Sequence, residues 1–238
     1  MFELGYLSNI EGELKSGKEA TVFLAEGPAG AMAAKIYRDK VVRSFQNDAI
    51  YKHRRRIPRV HRKKIDEGRE KLGVSKDEAY WIYHEYMNLW ELYEAGIPVP
   101  APMIGPGVNE IAQAGRVLLM EFVGEDGESA PRLADIRLEG EEAESAWQQS
   151  LDIYILLLGL GKVHGDYSAY NLLWWQGKVM VIDFPQMISF EDNRHAMELI
   201  ERDVNSLCMS FKRHGIDKDP FEVLQEIKRQ VDLSKQPR

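Results

Sequence analysis

The sequence has one cysteine, Cys208, in 238 residues. A single thiol excludes an internal disulfide and any cysteine-rich metal site. Long hydrophobic runs are also missing, and no stretch approaches the ~18 uninterrupted apolar residues of a membrane span. The opening M-F-E-L-G-Y-L-S-N-I-E-G-E carries no basic segment of the kind that begins a secretory leader. These absences lead us to expect a cytoplasmic protein with no membrane partner. Low-complexity tracts and internal repeats are lacking too. With 44% apolar and 29% charged residues, the chain reads as an ordinary globule rather than a disordered one.

Basic residues are unevenly placed and crowd into one segment. The formal net charge is -7, yet residues 52–64, K-H-R-R-R-I-P-R-V-H-R-K-K, contain eight Lys+Arg and no acid. Without them 23 basic residues face 38 acidic ones, a balance of -15. An acidic body with one cationic island argues against wholesale nucleic-acid coating. It leaves two readings of the island open, a solvated mobile loop or a local contact with RNA or the ribosome.

The front half reads as strands and the back half as helices. Apolar runs around S-G-K-E-A and the turn Gly27–Gly30 predict a hairpin leading into A-M-A-A-K-I-Y. Residues 38–75 are polar and basic without a clean period, which predicts short helices or a mobile loop. Residues 77–95 have a helical stripe of Ile82, Tyr86, Leu89, Trp90 and Tyr93, with Ser75 and Glu78 at capping-box spacing and Gly96 as the stop. Val117 to Val123 reads as a buried strand. Glu141 to Leu160 reads as a core helix, and further helices are expected at about 193–213 and 220–231.

The densest chemistry lies around residues 164–184. Taking Gln176-Gly177 as a two-residue turn places Asn171 opposite Ile182, beside Asp183, at the open end of a hairpin. An amide and a carboxylate held there suit a hard cation such as Mg²⁺, with phosphates completing its shell. The bland alternative is that both residues cap strand ends. Asp166, five residues before Asn171, supplies the carboxylate that orients or deprotonates an attacking group in phosphoryl transfer. That reaction also needs a phosphate-neutralising cation. Strand alternation puts Lys35 on the face of Ala31, Ala33 and Tyr37, where small residues leave room for a ligand. Glu85 falls within the apolar stripe of its helix and so needs a cation partner, for which Lys35 is the candidate.

Gly12 to Lys18 matches the spacing of a Walker A loop, but Glu19 stands where Ser or Thr is required, and A-T-V-F-L reads as a strand rather than a helix. A strand–turn–strand over phosphates fits better, with Ser16, Gly17 and Lys18 at its tip.

Taken in order, S-G-K-E-A-T-V-F, A-K-I-Y, H-E-Y-M-N-L-W-E-L-Y-E-A-G-I-P-V-P-A-P, V-L-L-M-E-F-V-G, H-G-D-Y-S-A-Y-N-L-L and I-D-F-P-Q resemble the RIO family of atypical serine/threonine protein kinases, from about Gly12 to Asp203. The resemblance implies an α+β fold, a minimal two-lobed protein-kinase-like architecture with an antiparallel sheet plus helix in the N-lobe and a mainly helical C-lobe. The lobes would be residues 1–122 and 123–238. It implies ATP with Mg²⁺, or Mn²⁺, as cofactors. It also implies serine autophosphorylation, or ATP hydrolysis through a phospho-aspartate, and a substrate that is either another protein or the chain itself. Carried over by motif, Asp166 is the catalytic aspartate, Asn171 and Asp183 are metal ligands, and Asp183 is the phospho-acceptor. Lys35 holds phosphates and pairs with Glu85. Met120 lies behind the adenine, and the backbone of Glu121 and Val123 meets its edge. Asp203 anchors the catalytic loop through backbone amides, with a surface ion pair as the alternative.

Asp183 is followed by Phe184-Pro185 where most kinases have Phe-Gly, and no A-P-E segment follows. Both departures favour self-phosphorylation or a nucleotide switch over broad protein phosphorylation. An aminoglycoside-phosphotransferase-like small-molecule kinase and a nucleotide-switched assembly factor remain the alternative functions.

Overall fold

The computed structural model describes residues 1–38, 57–74, 76–190 and 194–233. The chain forms two compact units. The first comprises Met1–Tyr93 and Pro100–Ser129, and the second Glu94–Val99 and Ala130–Arg238. The division therefore falls after Ser129, seven residues beyond the expected boundary at 122, because the short hairpin of residues 124–129 groups with the first unit.

The first unit is built on a four-stranded antiparallel sheet in the order β1-β2-β3-β4. Its strands are β1 (Asn9–Ser16), β2 (Ala20–Gly27), β3 (Gly30–Tyr37) and β4 (Val117–Glu121). Gly27 pairs with Gly30 across the tight β2–β3 turn, where Gly30 adopts φ 96, a conformation that suits a residue without a Cβ. Two short strands, β5 (Gly124–Glu125) and β6 (Glu128–Ser129), close this unit.

Among the described residues three helices accompany the sheet. α1 (Arg59–Leu72) is a 14-residue helix, the helical one of the two outcomes expected over 38–75. Its sequence gives no clean period, since only Ile65 is buried while Val60 and Leu72 stay exposed among the charged residues. Gly68 lets it approach α3 (Val108–Ala114), because a Cβ there would lie 2.8 Å from the Ala112 carbonyl oxygen. The short helix α3, framed by Gly107 and Gly115, was not anticipated.

α2 (Lys76–Glu94) is the expected amphipathic helix. Ile82, Tyr86, Leu89 and Leu92 are all at most 1% exposed, whereas Tyr93 at 46% lies off the stripe. Tyr86 ties the helix to β4, donating its hydroxyl to the Val117 carbonyl and accepting the Leu119 N–H. Glu78 was assigned to capping, but its partner Ser75 lies outside the described residues. Glu78 is buried, and Arg116 Nε stands 3.8 Å from it.

The second unit is mainly helical. α4 (Gly140–Gly159) buries Trp147, Leu151, Tyr154, Leu157 and Leu158, each contributing roughly 1.5–3 kcal/mol by leaving water. Leu156 and Leu160 stay exposed, so its apolar C-terminal half is not buried all round. α5 (Ala196–Phe211) crosses it with Phe211 edge-on to Trp147 at 5.3 Å. α6 (Pro220–Gln230) begins as its sequence dictates, with the Asp219 side chain accepting the Phe221 N–H and proline at the first helical position. Two strand pairs complete the unit. In one, β7 (Lys162–Val163) pairs with β10 (Ile188–Ser189). The other is the hairpin of β8 (Leu172–Trp175) and β9 (Lys178–Val181).

Candidate active site

The β8–β9 hairpin has the register read from its sequence. Leu172 pairs with Val181 and Trp175 with Lys178, and Gln176 and Gly177 both adopt positive φ at the turn. A two-residue turn of that hand matches the right-handed strand twist and locks the register. One step beyond the ladder, the Ile182 N–H donates to the Asn171 carbonyl at 3.0 Å. Asn171 therefore stands opposite Ile182, next to Asp183, as the turn required.

The amide of Asn171 is oriented by its neighbours. Its Nδ2 donates to the Asp166 carbonyl oxygen at 2.8 Å and to Asp166 Oδ2 at 3.0 Å. Both N–H bonds are spent on Asp166, so Oδ1 is the atom left to face a cation. Asn171 is 7% exposed, while Asp166 is exposed. Asp183 takes φ 71, a left-handed backbone that is uncommon outside glycine and most tolerated by asparagine and aspartate. Among the described residues no group of three or more His, Cys, Asp or Glu can hold a metal ion by itself. An amide oxygen with one carboxylate is an incomplete shell. It fits a hard cation that brings phosphate oxygens with it, and it does not fit a structural metal.

Beneath this loop lies Asp203 of α5, 1% exposed. Its Oδ2 accepts the Gly165 N–H at 2.8 Å and the Tyr154 hydroxyl at 3.2 Å, and Oδ1 accepts the Tyr167 N–H at 3.1 Å. This is a buried anchor of the backbone flanking Asp166, not a surface ion pair. Burial pushes its carboxyl above the ordinary value, against the bonds it accepts and the neighbouring His164.

Three further residues act on the same loop without having stood out in the sequence. Arg202 donates to the Gly165 carbonyl, Tyr154 reaches Asp203 from α4, and His164 spans two segments. His164 Nδ1 accepts the Asp166 N–H, which leaves the proton on Nε2, 3.3 Å from the Ile182 carbonyl. The backbone of Asp166 is thus linked to the residue before Asp183. Tyrosine and arginine at helical positions give no local signal of such a role, and only the motif histidine could have been suspected.

In the first unit, Lys35 Nζ lies 2.6 Å from Glu85 Oε1, with side-chain exposures of 10% and 2%. The ammonium also sits 5.2 Å from the centre of the Tyr37 ring. The pair forms because β3 alternation and the α2 period each turn one charge into the same interior. Ser16, Gly17 and Lys18 form the β1–β2 turn, closed by the Gly17 N–H donating to the Ala20 carbonyl at 2.9 Å. β2 follows this turn directly, as a strand-flanked turn requires and a Walker A loop forbids.

Met120 pairs with Ala33 across β3–β4 and bridges to Pro102. Glu121 is tied to Ala101, its N–H donating to the Ala101 carbonyl at 2.7 Å and its Oε2 accepting the Ala101 N–H at 3.0 Å. Val123 is 8% exposed. Of the basic island, residues 52–56 lie outside the described residues. Arg59 to Lys64 open α1, where Lys63 is 83% exposed.

The architecture and these constellations define the class as kinase-like. The fold matches the crystal structure of the Rio2 kinase from Chaetomium thermophilum with a TM-score of 0.66 at 19% identity, covering 97% of this chain and 65% of that one. A second structure from that fungus, the Rio2 kinase-ADP/Mg²⁺-phosphoaspartate complex, matches with a TM-score of 0.63, also at 19% identity, covering 97% and 63% of the two chains. The RIO domain matches residues 21–224. The chain belongs to the RIO family. Its sequence is 32% identical to the serine/threonine-protein kinase RIO1 of Caenorhabditis elegans, over 91% of this chain and 40% of that protein. It is also 32% identical to the RIO-type serine/threonine-protein kinase Rio1 of Haloferax volcanii, over 90% of this chain and 67% of that protein. It is 30% identical to human RIO3, over 91% and 41%. The chain thus spans well under half the length of the nematode and human relatives.

Proposed function

We propose that this chain is an ATP- and Mg²⁺-dependent phosphotransferase of the RIO type, a serine/threonine kinase that phosphorylates itself, or an ATPase that works through Asp183. The observation that carries the reading is the Asn171 amide fixed on Asp166 and paired across the hairpin end to Ile182, beside Asp183. Asn171 Oδ1 and the Asp183 carboxylate would hold Mg²⁺. The bound ion would offset charge on the phosphate oxygens.

Lys35, set by Glu85, would neutralise the phosphates, and the Ser16–Gly17–Lys18 turn would cover them. Met120, with the backbone of Glu121 and Val123, would receive the adenine. In transfer to a serine, the hydroxyl oxygen bonds the γ-phosphorus and the bond to the β-phosphate oxygen breaks. The electron pair leaves on ADP, and the hydroxyl proton passes to Asp166. In the ATPase branch a carboxylate oxygen of Asp183 replaces the hydroxyl as nucleophile, and water later cleaves the acyl phosphate.

Support comes from the family and from the relatives named as serine/threonine-protein kinases. The Rio2 complex, which pairs ADP and Mg²⁺ with a phosphoaspartate, supports the Asp183 branch. Family membership weighs against the aminoglycoside-phosphotransferase-like alternative. A cytoplasmic location belongs to the same reading. Among the described residues no helix is long and apolar enough to cross a membrane. An RNA or ribosomal contact through residues 52–64 is a separate extension supported by charge alone.

The test is incubation with γ-labelled ATP and Mg²⁺. Hydroxylamine-labile label that disappears in Asp183→Asn is expected for the acyl phosphate, and stable label on serine for the kinase branch. Normal turnover in Asp183→Asn would overturn the metal assignment.

A further inference from the structure

Arg38 follows the last residue of β3 and reaches back across the sheet to the β1–β2 turn. Directly opposed residues of a ladder share a face. Val22 opposes Lys35, whereas Ser16 opposes Thr21, and Thr21 opposes Ile36. Ser16, Thr21 and Ile36 therefore form one cross-strand row on the face away from Lys35. Arg38, two residues after Ile36, extends along that same face. Its guanidinium donates to Ser16 Oγ and, at 3.1 Å, to Thr21 Oγ1. Its own N–H donates to the Glu19 carbonyl at 2.9 Å. One residue thus grips both ends of the turn, Ser16 where β1 stops and Glu19 and Thr21 where β2 starts.

The turn is an exposed Ser-Gly-Lys segment, closed by the Gly17 N–H donating to the Ala20 carbonyl and by Ser16 Oγ and Thr21 Oγ1 meeting at 3.5 Å. A glycine-containing tip of this kind loses much conformational freedom when it closes on a ligand. Fixing it beforehand removes that cost from binding. Both bonds leave one terminal nitrogen, Nη2, whose two N–H groups are divided between the two hydroxyls.

We propose that Arg38 is the positioning residue of this turn, holding Ser16, Gly17 and Lys18 in the arrangement that presents their donors to a phosphate. It works from the face opposite Lys35, so it acts through the turn rather than on the ligand. The identity of that ligand as ATP rests on the function proposed above, whereas the control of the turn does not.

The experiment compares the full chain with Arg38→Ala, Arg38→Lys, Ser16→Ala and the Arg38→Ala/Ser16→Ala double variant. Amide exchange at Gly17 should speed up about tenfold in Arg38→Ala, with the lysine variant in between. Affinity for ATP should fall about tenfold while affinity for adenosine, which lacks phosphate, stays within about twofold. The double variant should lose no more than Arg38→Ala alone, since the bond to Ser16 is already gone in that variant. Unchanged Gly17 exchange, equal losses for ATP and adenosine, or losses that sum would each overturn the proposal. If the wild-type chain binds no ATP, the nucleotide reading fails, and Gly17 exchange still decides the role of Arg38. If Arg38→Ala does not fold, Arg38→Lys decides by the same readouts, and wild-type behaviour in it counts against the proposal.

Discussion

Asp203→Asn keeps the shape of the buried side chain and removes its charge. The wild-type carboxylate accepts three bonds, from the Gly165 N–H at 2.8 Å, the Tyr167 N–H at 3.1 Å and the Tyr154 hydroxyl at 3.2 Å. An asparagine can put its one oxygen where Oδ2 stood, keeping Gly165 and Tyr154. Its NH2 group then faces the Tyr167 N–H, donor against donor. Leaving a buried donor unsatisfied costs about 1–3 kcal/mol, and the two remaining bonds each lose roughly 1 kcal/mol of charge assistance. Relief of the carboxylate's desolvation offsets part of this, since burial already raises its pKa. The expected net loss is about 2–4 kcal/mol, read as a lower urea midpoint with an unchanged slope. Amide exchange should rise at Gly165 and Tyr167 first, and turnover should fall with it because Asp166 lies between them.

The pH dependence gives a second check. A carboxyl whose folded pKa lies above its unfolded value binds its proton more readily when folded. Its contribution to stability therefore grows as pH falls through the folded pKa, and the asparagine variant lacks that limb. The gap between the two proteins should widen on acidification. A variant within about 0.5 kcal/mol of wild type, with normal exchange at Gly165, would refute the anchoring role.

Two further outcomes are expected. Lys35→Met should cost about 3–5 kcal/mol of stability by removing the 2.6 Å partner of a carboxylate that is 2% exposed, and at least about a hundredfold in turnover. Adding Glu85→Leu should restore much of the stability and none of the activity, and activity recovering alongside the melting temperature would contradict a phosphate role for Lys35. His214 is 3% exposed, and its Nδ1 accepts the Leu138 N–H at 3.0 Å; burial first, then Arg213, lowers its pKa below 6.5. Its contribution is complete above about pH 6.5 and declines below it as the unfolded chain takes up a proton. Thermal melts between about pH 8 and pH 5 should show this decline in wild type and not in His214→Gln.

The hairpin register, and with it the placement of Asn171 opposite Ile182 and beside Asp183, was legible because a Gln-Gly turn fixes pairing by local geometry. The Lys35–Glu85 pair was legible for a related reason: a charge inside an apolar period must find a partner. Glu78 lies on the same helical face and follows the same rule, buried near Arg116, although its capping spacing offers a local explanation in the sequence. Over α1 the sequence does not separate helix from loop because the apolar stripe has shrunk to Ile65, and α3 was missed because seven residues carry too little period. Tyr93 kept the helical spacing of the stripe yet stays exposed, since the period does not say where the core ends.

By itself the sequence determined the family, the main strands and helices, and where the charged residues of the motifs fall. These depend on side-chain identity and on spacings within one or two elements. The tertiary structure decided which groups hold the chemistry still. Tyr154, Arg202 and Asp203 converge on the Asp166 loop, and Arg38 reaches Ser16 and Thr21. Such bonds join residues separated by tens of positions, and their partners are backbone amides, carbonyls or hydroxyls. Every residue but proline carries a backbone amide and every residue a carbonyl, so the sequence does not mark which of them will be used. Packing brings the right ones within reach.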